Sequence, residues 1–189
     1  EQQLMPILLL LIDLQYDFIE RAGLTPPLEQ LSAPIEAMLA HAREVGMPII
    51  HVRTEISESG DNRMPHWKVA GIRSCTAGTR GAATPPQFAA LADEAIVVKQ
   101  FFSGFSEPRL DVILQASGID RLWVTGLYTH SCVRATVMDA YQRGYRVTLV
   151  DDCLGSTEPL HARLSIDYMV DRAATLATSR TLLQQDSPL

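Results

Sequence analysis

The sequence is short of several features that mark whole protein classes. It has three cysteines, at 75, 132 and 153, with no CxxC pair. An odd count at long spacing argues against a secreted disulfide framework and leaves a thiol available for chemistry. It has no long apolar run. The longest, Ile7 to Ile12, falls far short of the roughly 20 residues a membrane-spanning helix needs. No basic segment precedes that run and Asp13 follows it at once, so it does not read as a secretory signal. Basic residues are the minority, 16 Lys and Arg against 22 Asp and Glu, for a net charge of −6. That balance lacks the basic footprint of nucleic-acid binding. The only asparagine, Asn62, lies outside any glycosylation sequon. The expectation is a cytoplasmic protein with neither nucleic acid nor membrane as partner.

What is present is enough for one globular domain spanning 1–189, with 47% hydrophobic and 20% charged residues. Apolar runs of strand length, without alternation, occur at 7–14, 48–52, 95–98, 121–125, 146–150 and 174–178. Lack of alternation suits strands covered on both faces. Helical spacing or helix stops appear at 28–45, 109–117, 131–143 and 159–172, with a short helical tail after the last strand. Gly46, Gly118 and Gly144 stop three of these helices. The alternation predicts a three-layer α/β/α sandwich with a mostly parallel sheet of about six strands. Residues 54–90 interrupt it with Gly60, Pro65, Gly71, Gly78, Gly81 and the pair Pro85–Pro86. The expectation there is a long functional excursion with one short helix near 87–92.

In open parallel sheets, ligands bind beyond the carboxyl ends of the strands. Asp13 ends the first strand, Lys99 ends the third, and Cys132 follows the fourth at the start of a helix. Taken singly, each has a plain reading: a loop cap, a solvated ammonium, a small buried hydrophobe. Together they form a kit for acyl transfer. A helix N-terminus and a nearby ammonium would lower the thiol pKa. A carboxylate can take the thiol proton and return it to a leaving amine. The first turn of the helix offers backbone N–H groups to an oxyanion.

Three stretches carry a family resemblance. LLLLIDLQYDF, starting at Leu8, is similar to a D-x-Q-x-D-F opening. VVKQFFSGF, holding Lys99, resembles a lysine strand end followed by S-x-F. GLYTHSCVRATVMDAYQRGYRVTLVDD, from Gly126, resembles a G-x-x-T-x-x-C-V-x-x-T-x-x-D-A block. From about Leu8 to Ala174 the chain resembles the isochorismatase-like cysteine hydrolases, which include nicotinamidases and N-carbamoylsarcosine amidases. The resemblance implies Cys132 as nucleophile, Asp13 as proton acceptor and donor, and Lys99 as their electrostatic partner. It implies a cis Leu127–Tyr128 bond, an oxyanion hole from the Tyr128 and Cys132 backbone N–H groups, and a homo-oligomer, a dimer or tetramer. The candidate contacts for a small-molecule substrate are Gln15, Phe18, Trp67, Phe105, Tyr128 and His130.

The chain also departs from the family it resembles. The D-x-H metal motif of nicotinamidases is absent after the second strand, where His51, Glu55, Asp61 and His66 have no ligand spacing. No metal and no organic cofactor is expected. The GTRGA stretch lacks the phosphate-loop pattern. Arg53, Arg73 and Arg80 are candidates for a substrate carboxylate, while Cys75 and Cys153 read as packing residues. The expected function is cysteine-dependent hydrolysis of an amide or carbamoyl C–N bond through a thioester. Tyr128 and His130 keep open a vinyl ether hydrolase that does not use the cysteine. A catalytically silent interaction module of the same fold is the third reading.

Overall fold

The structure is a computed structural model that describes residues 6–185. The first apolar run forms β1, Ile7–Ile12, buried along nearly its whole length. Its side chains alternate between two cores. Leu9 and Leu11 face one; Leu8, Leu10 and Ile12 face the other. Both faces are covered, which is why the run is continuously apolar. The short α1, Tyr16–Ile19, follows, then α2, Leu28–Glu44, which turns Leu31, Ile35, Met38 and Leu39 onto the first core.

The second strand, β2, is Ile49–Thr54, ending two residues later than the sequence pattern suggests. The excursion that follows holds α3, Pro65–Val69, which the pattern does not foresee. The expected helix near 87–92 is instead a single 3-10 turn at Pro86–Phe88. The turn stops because Ala89 leaves helical geometry, with ψ of 144°. The excursion is pinned where it ends. Arg43 of α2 donates to Glu94, with Nε 2.7 Å from Oε1, and His51 Nε2 lies 2.8 Å from Glu94 Oε2.

Regular alternation then resumes with β3 (Ala95–Lys99), α4 (Pro108–Ala116), β4 (Arg121–Leu127), α5 (Arg134–Gln142), β5 (Arg146–Gly155), α6 (Pro159–Arg172), β6 (Ala174–Ala177) and α7 (Ser179–Gln185). The expected helix at 131–143 begins differently. Thr129–Val133 forms a π-helical turn, and the α-helix starts only at Arg134. The six strands form one sheet in the order β3-β2-β1-β4-β5-β6, with every pairing parallel. Leu110 and Leu114 of α4, Val137 of α5 and Met169 of α6 pack on the face opposite α2. Among the described residues, no helix is long and apolar enough to cross a membrane.

Candidate active site

The strand order reverses between β1 and β4. That switch point is where an open parallel sheet offers a crevice at its carboxyl edge. Four neighbouring strand ends deliver a row of polar side chains there. Lys99 ends β3, Thr54 ends β2 and pairs with it in register, and Asp13 follows β1. Past β4 the chain passes through the cis Leu127–Tyr128 bond into the turn that carries Cys132. The two central strands approach closely at Gly126, where an added Cβ would land on the Ile12 backbone. Asp13 has φ of 53°, a left-handed conformation uncommon for a residue with a side chain.

All four side chains are buried. Lys99 Nζ lies 2.9 Å from Asp13 Oδ2, 2.8 Å from Thr54 Oγ1 and 3.5 Å from Cys132 Sγ. An ammonium has three N–H donors, so each proton has one acceptor. Burial alone would lower the Lys99 pKa, but the Asp13 and Cys132 partners outweigh it and hold the ammonium charged.

The thiol behaves otherwise than its sequence position suggests. Burial pushes Cys132 up to about 12; Lys99 opposes that shift and Asp13 adds to it. The π-helical turn places the sulfur inside the site and not at an exposed α-helix N-terminus, so desolvation of the thiolate dominates. The resting thiol is neutral and relies on a base to ionise. Asp13, joined to the sulfur through the Lys99 ammonium, is the carboxylate placed to serve.

A cavity of about 770 Å3 opens onto Thr54 and Cys132. Phe18, Trp67, Tyr128 and His130 line it, as do residues the sequence pattern did not single out, among them Arg21, Phe102, Arg134 and Glu158; His66, weighed in the sequence only as a metal ligand, lines it too. His66 stacks on Phe102 with ring centres 5.5 Å apart, and Tyr128 stacks on His130 at 6.1 Å. His130 Nδ1 lies 2.6 Å from Ser156 Oγ, and burial lowers its pKa. Arg134 stands two residues past Cys132, and Phe102 three past Lys99. Proximity to the catalytic candidates was the available signal for both. A second cavity, about 750 Å3, lies at the amino-terminal ends of β1, β4 and β5, away from these groups.

Other candidates sit elsewhere. Gln15 is fully buried and does not line the cavity. Its Nε2 donates to the Thr54 and Ala82 carbonyls at 2.7 and 2.8 Å, and its Oε1 accepts from the Thr54 N–H at 2.9 Å. Phe105 packs in the core under α4 and α5, stacked on Tyr145. Arg53 lies 3.8 Å from Glu55, Arg73 donates to the Glu58 and Ser59 carbonyls, and Arg80 pairs with Glu20 over the Tyr16 ring. None of the three arginines lines the cavity. Cys75 and Cys153 are fully buried. His51 is engaged by Glu94, and among the described residues no three His, Cys, Asp or Glu side chains are grouped to hold a metal ion.

The isochorismatase domain matches residues 7–181. Maleamate amidohydrolase of Pseudomonas putida is 30% identical over 163 residues, which is 80% of this chain and 76% of that protein. An isochorismatase family protein from Desulfovibrio vulgaris superposes with a TM-score of 0.84 at 29% identity, covering 96% of this chain and 98% of its own. N-carbamoylsarcosine amidase from Thermoplasma acidophilum superposes with a TM-score of 0.80 at 28% identity, covering 93% and 97%.

Proposed function

Because the chain belongs to the isochorismatase family of hydrolases, we propose that it cleaves a small-molecule amide or carbamoyl C–N bond through a thioester on Cys132. The observation that carries this reading is the contact of Lys99 with both Asp13 and Cys132, the last of which lines a cavity sized for a small molecule. The names of two relatives, maleamate amidohydrolase and N-carbamoylsarcosine amidase, supply the amide and carbamoyl classes.

The steps follow from the proton inventory. Asp13 takes the thiol proton as Sγ attacks the substrate carbonyl carbon. The carbonyl oxygen becomes an oxyanion, received by the Tyr128 and Cys132 backbone N–H groups. The tetrahedral adduct collapses, the C–N bond breaks, and Asp13 passes its proton to the departing nitrogen. Water then gives a proton to Asp13 as it attacks the thioester, and the C–S bond breaks. The acid or carbamate leaves, and the thiol recovers its proton. Lys99 stays protonated throughout and offsets the negative charge that moves between carboxylate and sulfur. Arg21 and Arg134 in the cavity wall suit a substrate bearing a carboxylate.

The test is hydrolysis of a panel of carboxylate-bearing amides and N-carbamoyl amino acids, read by mass spectrometry. Cys132→Ala is expected to lose about a thousandfold or more in kcat. The stacked Tyr128 and His130 rings favour a second reading, hydrolysis of a vinyl ether without the thiol. Turnover of such an ether that survives Cys132→Ala would select it.

A further inference from the structure

Thr54 sits at the centre of the polar row. Lys99 Nζ lies 2.8 Å from its Oγ1, and that Oγ1 lies 2.9 Å from Asp13 Oδ1. An ammonium can only donate, so the hydroxyl accepts from Lys99. A carboxylate can only accept, so the single hydroxyl proton goes to Asp13. The direction of both bonds is thereby fixed. Asp13 receives one donor on each oxygen, Thr54 on Oδ1 and Lys99 on Oδ2.

The backbone of Thr54 is held as firmly as its side chain. Gln15 grips its N–H and its carbonyl together, and the sheet pairs it with Lys99. A β-branched side chain on a fixed backbone has few rotamers, so the hydroxyl has little freedom to leave the row.

We propose that Thr54 is a positioning residue: its hydroxyl, held between Lys99 and Asp13, keeps Asp13 oriented to accept the Cys132 proton. This rests on the cysteine-hydrolase reading above. The titratable groups acting around Asp13 are Lys99 from β3, Cys132 from the π-helical turn and Cys75 from the excursion. Burial pushes both thiols up, so they rest neutral and Lys99 supplies the charge. Loss of the hydroxyl leaves Oδ1 without its donor, so the carboxylate is held through Oδ2 alone.

The test is the rate at which iodoacetamide alkylates Cys132, followed by peptide mass spectrometry from about pH 4 to about pH 10. Cys75 and Cys153, both fully buried, are internal references. In the wild-type chain the proton can pass to Asp13 within the site. The rate should then be flat with pH over a plateau, where a free thiol's rate would still climb. Thr54→Val should lower the plateau about tenfold. Thr54→Ser, which restores the hydroxyl, should recover it. Thr54→Ala gives the same readout should the valine variant not fold.

Superimposable wild-type and Thr54→Val profiles, with the plateau still lost in Asp13→Asn, would overturn the role of Thr54 and leave the cysteine reading standing. A wild-type rate that climbs with pH like a free thiol, and does not respond to Asp13→Asn, would overturn both.

Discussion

A lysine ammonium with none of its side chain exposed persists only if its charge is matched. Lys99 meets that condition through Asp13, itself only 1% exposed. The pair is a liability to stability if either partner is removed alone. Lys99→Met should leave an uncompensated buried carboxylate and cost about 3 kcal/mol in urea unfolding. The double variant Asp13→Asn with Lys99→Met removes both charges and should recover a large part of that loss while remaining inactive. A double variant whose loss equals the sum of the singles would mean that the two groups are not coupled. Asp13 and Lys99 were legible in the sequence because each polar group directly follows an apolar run, and Cys132 because it lies after the fourth strand where a helix was expected to start. Thr54 was not, because the PIIHV pattern ends at Val52, two residues early. Gln15 was misjudged for a different reason. Side chains two apart share a face only in an extended strand, and the left-handed Asp13 breaks that extension. The turn sends Gln15 inward, toward Thr54 and Ala82.

Strands and long helices were readable from apolar runs, spacing and glycine stops, whereas the connections that build the site were not. A π-helical turn has no periodic signature over five residues, and α3 is too short to show one. What holds the excursion in place is a tertiary link between elements. Glu94, at its end, is gripped by Arg43 from α2, His51 from β2 and the Leu91 N–H. Burial works against the Glu94 carboxylate, but these donors prevail and bring its pKa down to about 2. A depressed acid contributes stability that is present above its ordinary value near 4.5 and is lost as pH falls toward 2. Burial also lowers the His51 pKa below 6.5. The unfolded chain therefore takes up that proton first, and stability declines as pH falls below about 6.5. Both slopes have the same sign. The urea midpoint should fall in two stages, one below about pH 6.5 and one below about pH 4.5. Glu94→Ala should cost about 2 kcal/mol at neutral pH and remove the lower stage. A variant that keeps the lower stage would assign it to other carboxylates.

At the scale of the whole molecule, strand order decides which distant residues meet. Asp13, Thr54, Lys99 and Cys132 span 119 positions of sequence, yet β3, β2, β1 and β4 lie side by side, so their carboxyl ends set the four in a row. The α/β alternation made the parallel sheet and its ligand-binding edge legible, and the quoted motifs made the family legible. The reversal between β1 and β4 was not written in any local pattern, since pairing between strands is non-local. The same edge carries an unusual surface. Phe101 and Phe102 are exposed, and so is Val69, one helical turn past His66 on α3. His66 stacks on Phe102, so these residues form a neighbouring apolar group at the cavity wall. Residues three apart on a helix share a side, which sets Val69 beside this group. Apolar side chains gathered at a site mark an interaction surface more often than scattered ones do, and a second copy of the chain is the partner expected from the family resemblance. Sedimentation velocity should find a dimer or tetramer. Val69→Glu with Phe101→Glu should shift it toward monomer. Because Phe102 and His66 belong to the cavity wall, that dissociation should raise KM more than it lowers kcat. A wild-type monomer at micromolar concentration, or a charged double variant that assembles as before, would place the assembly surface elsewhere or remove it.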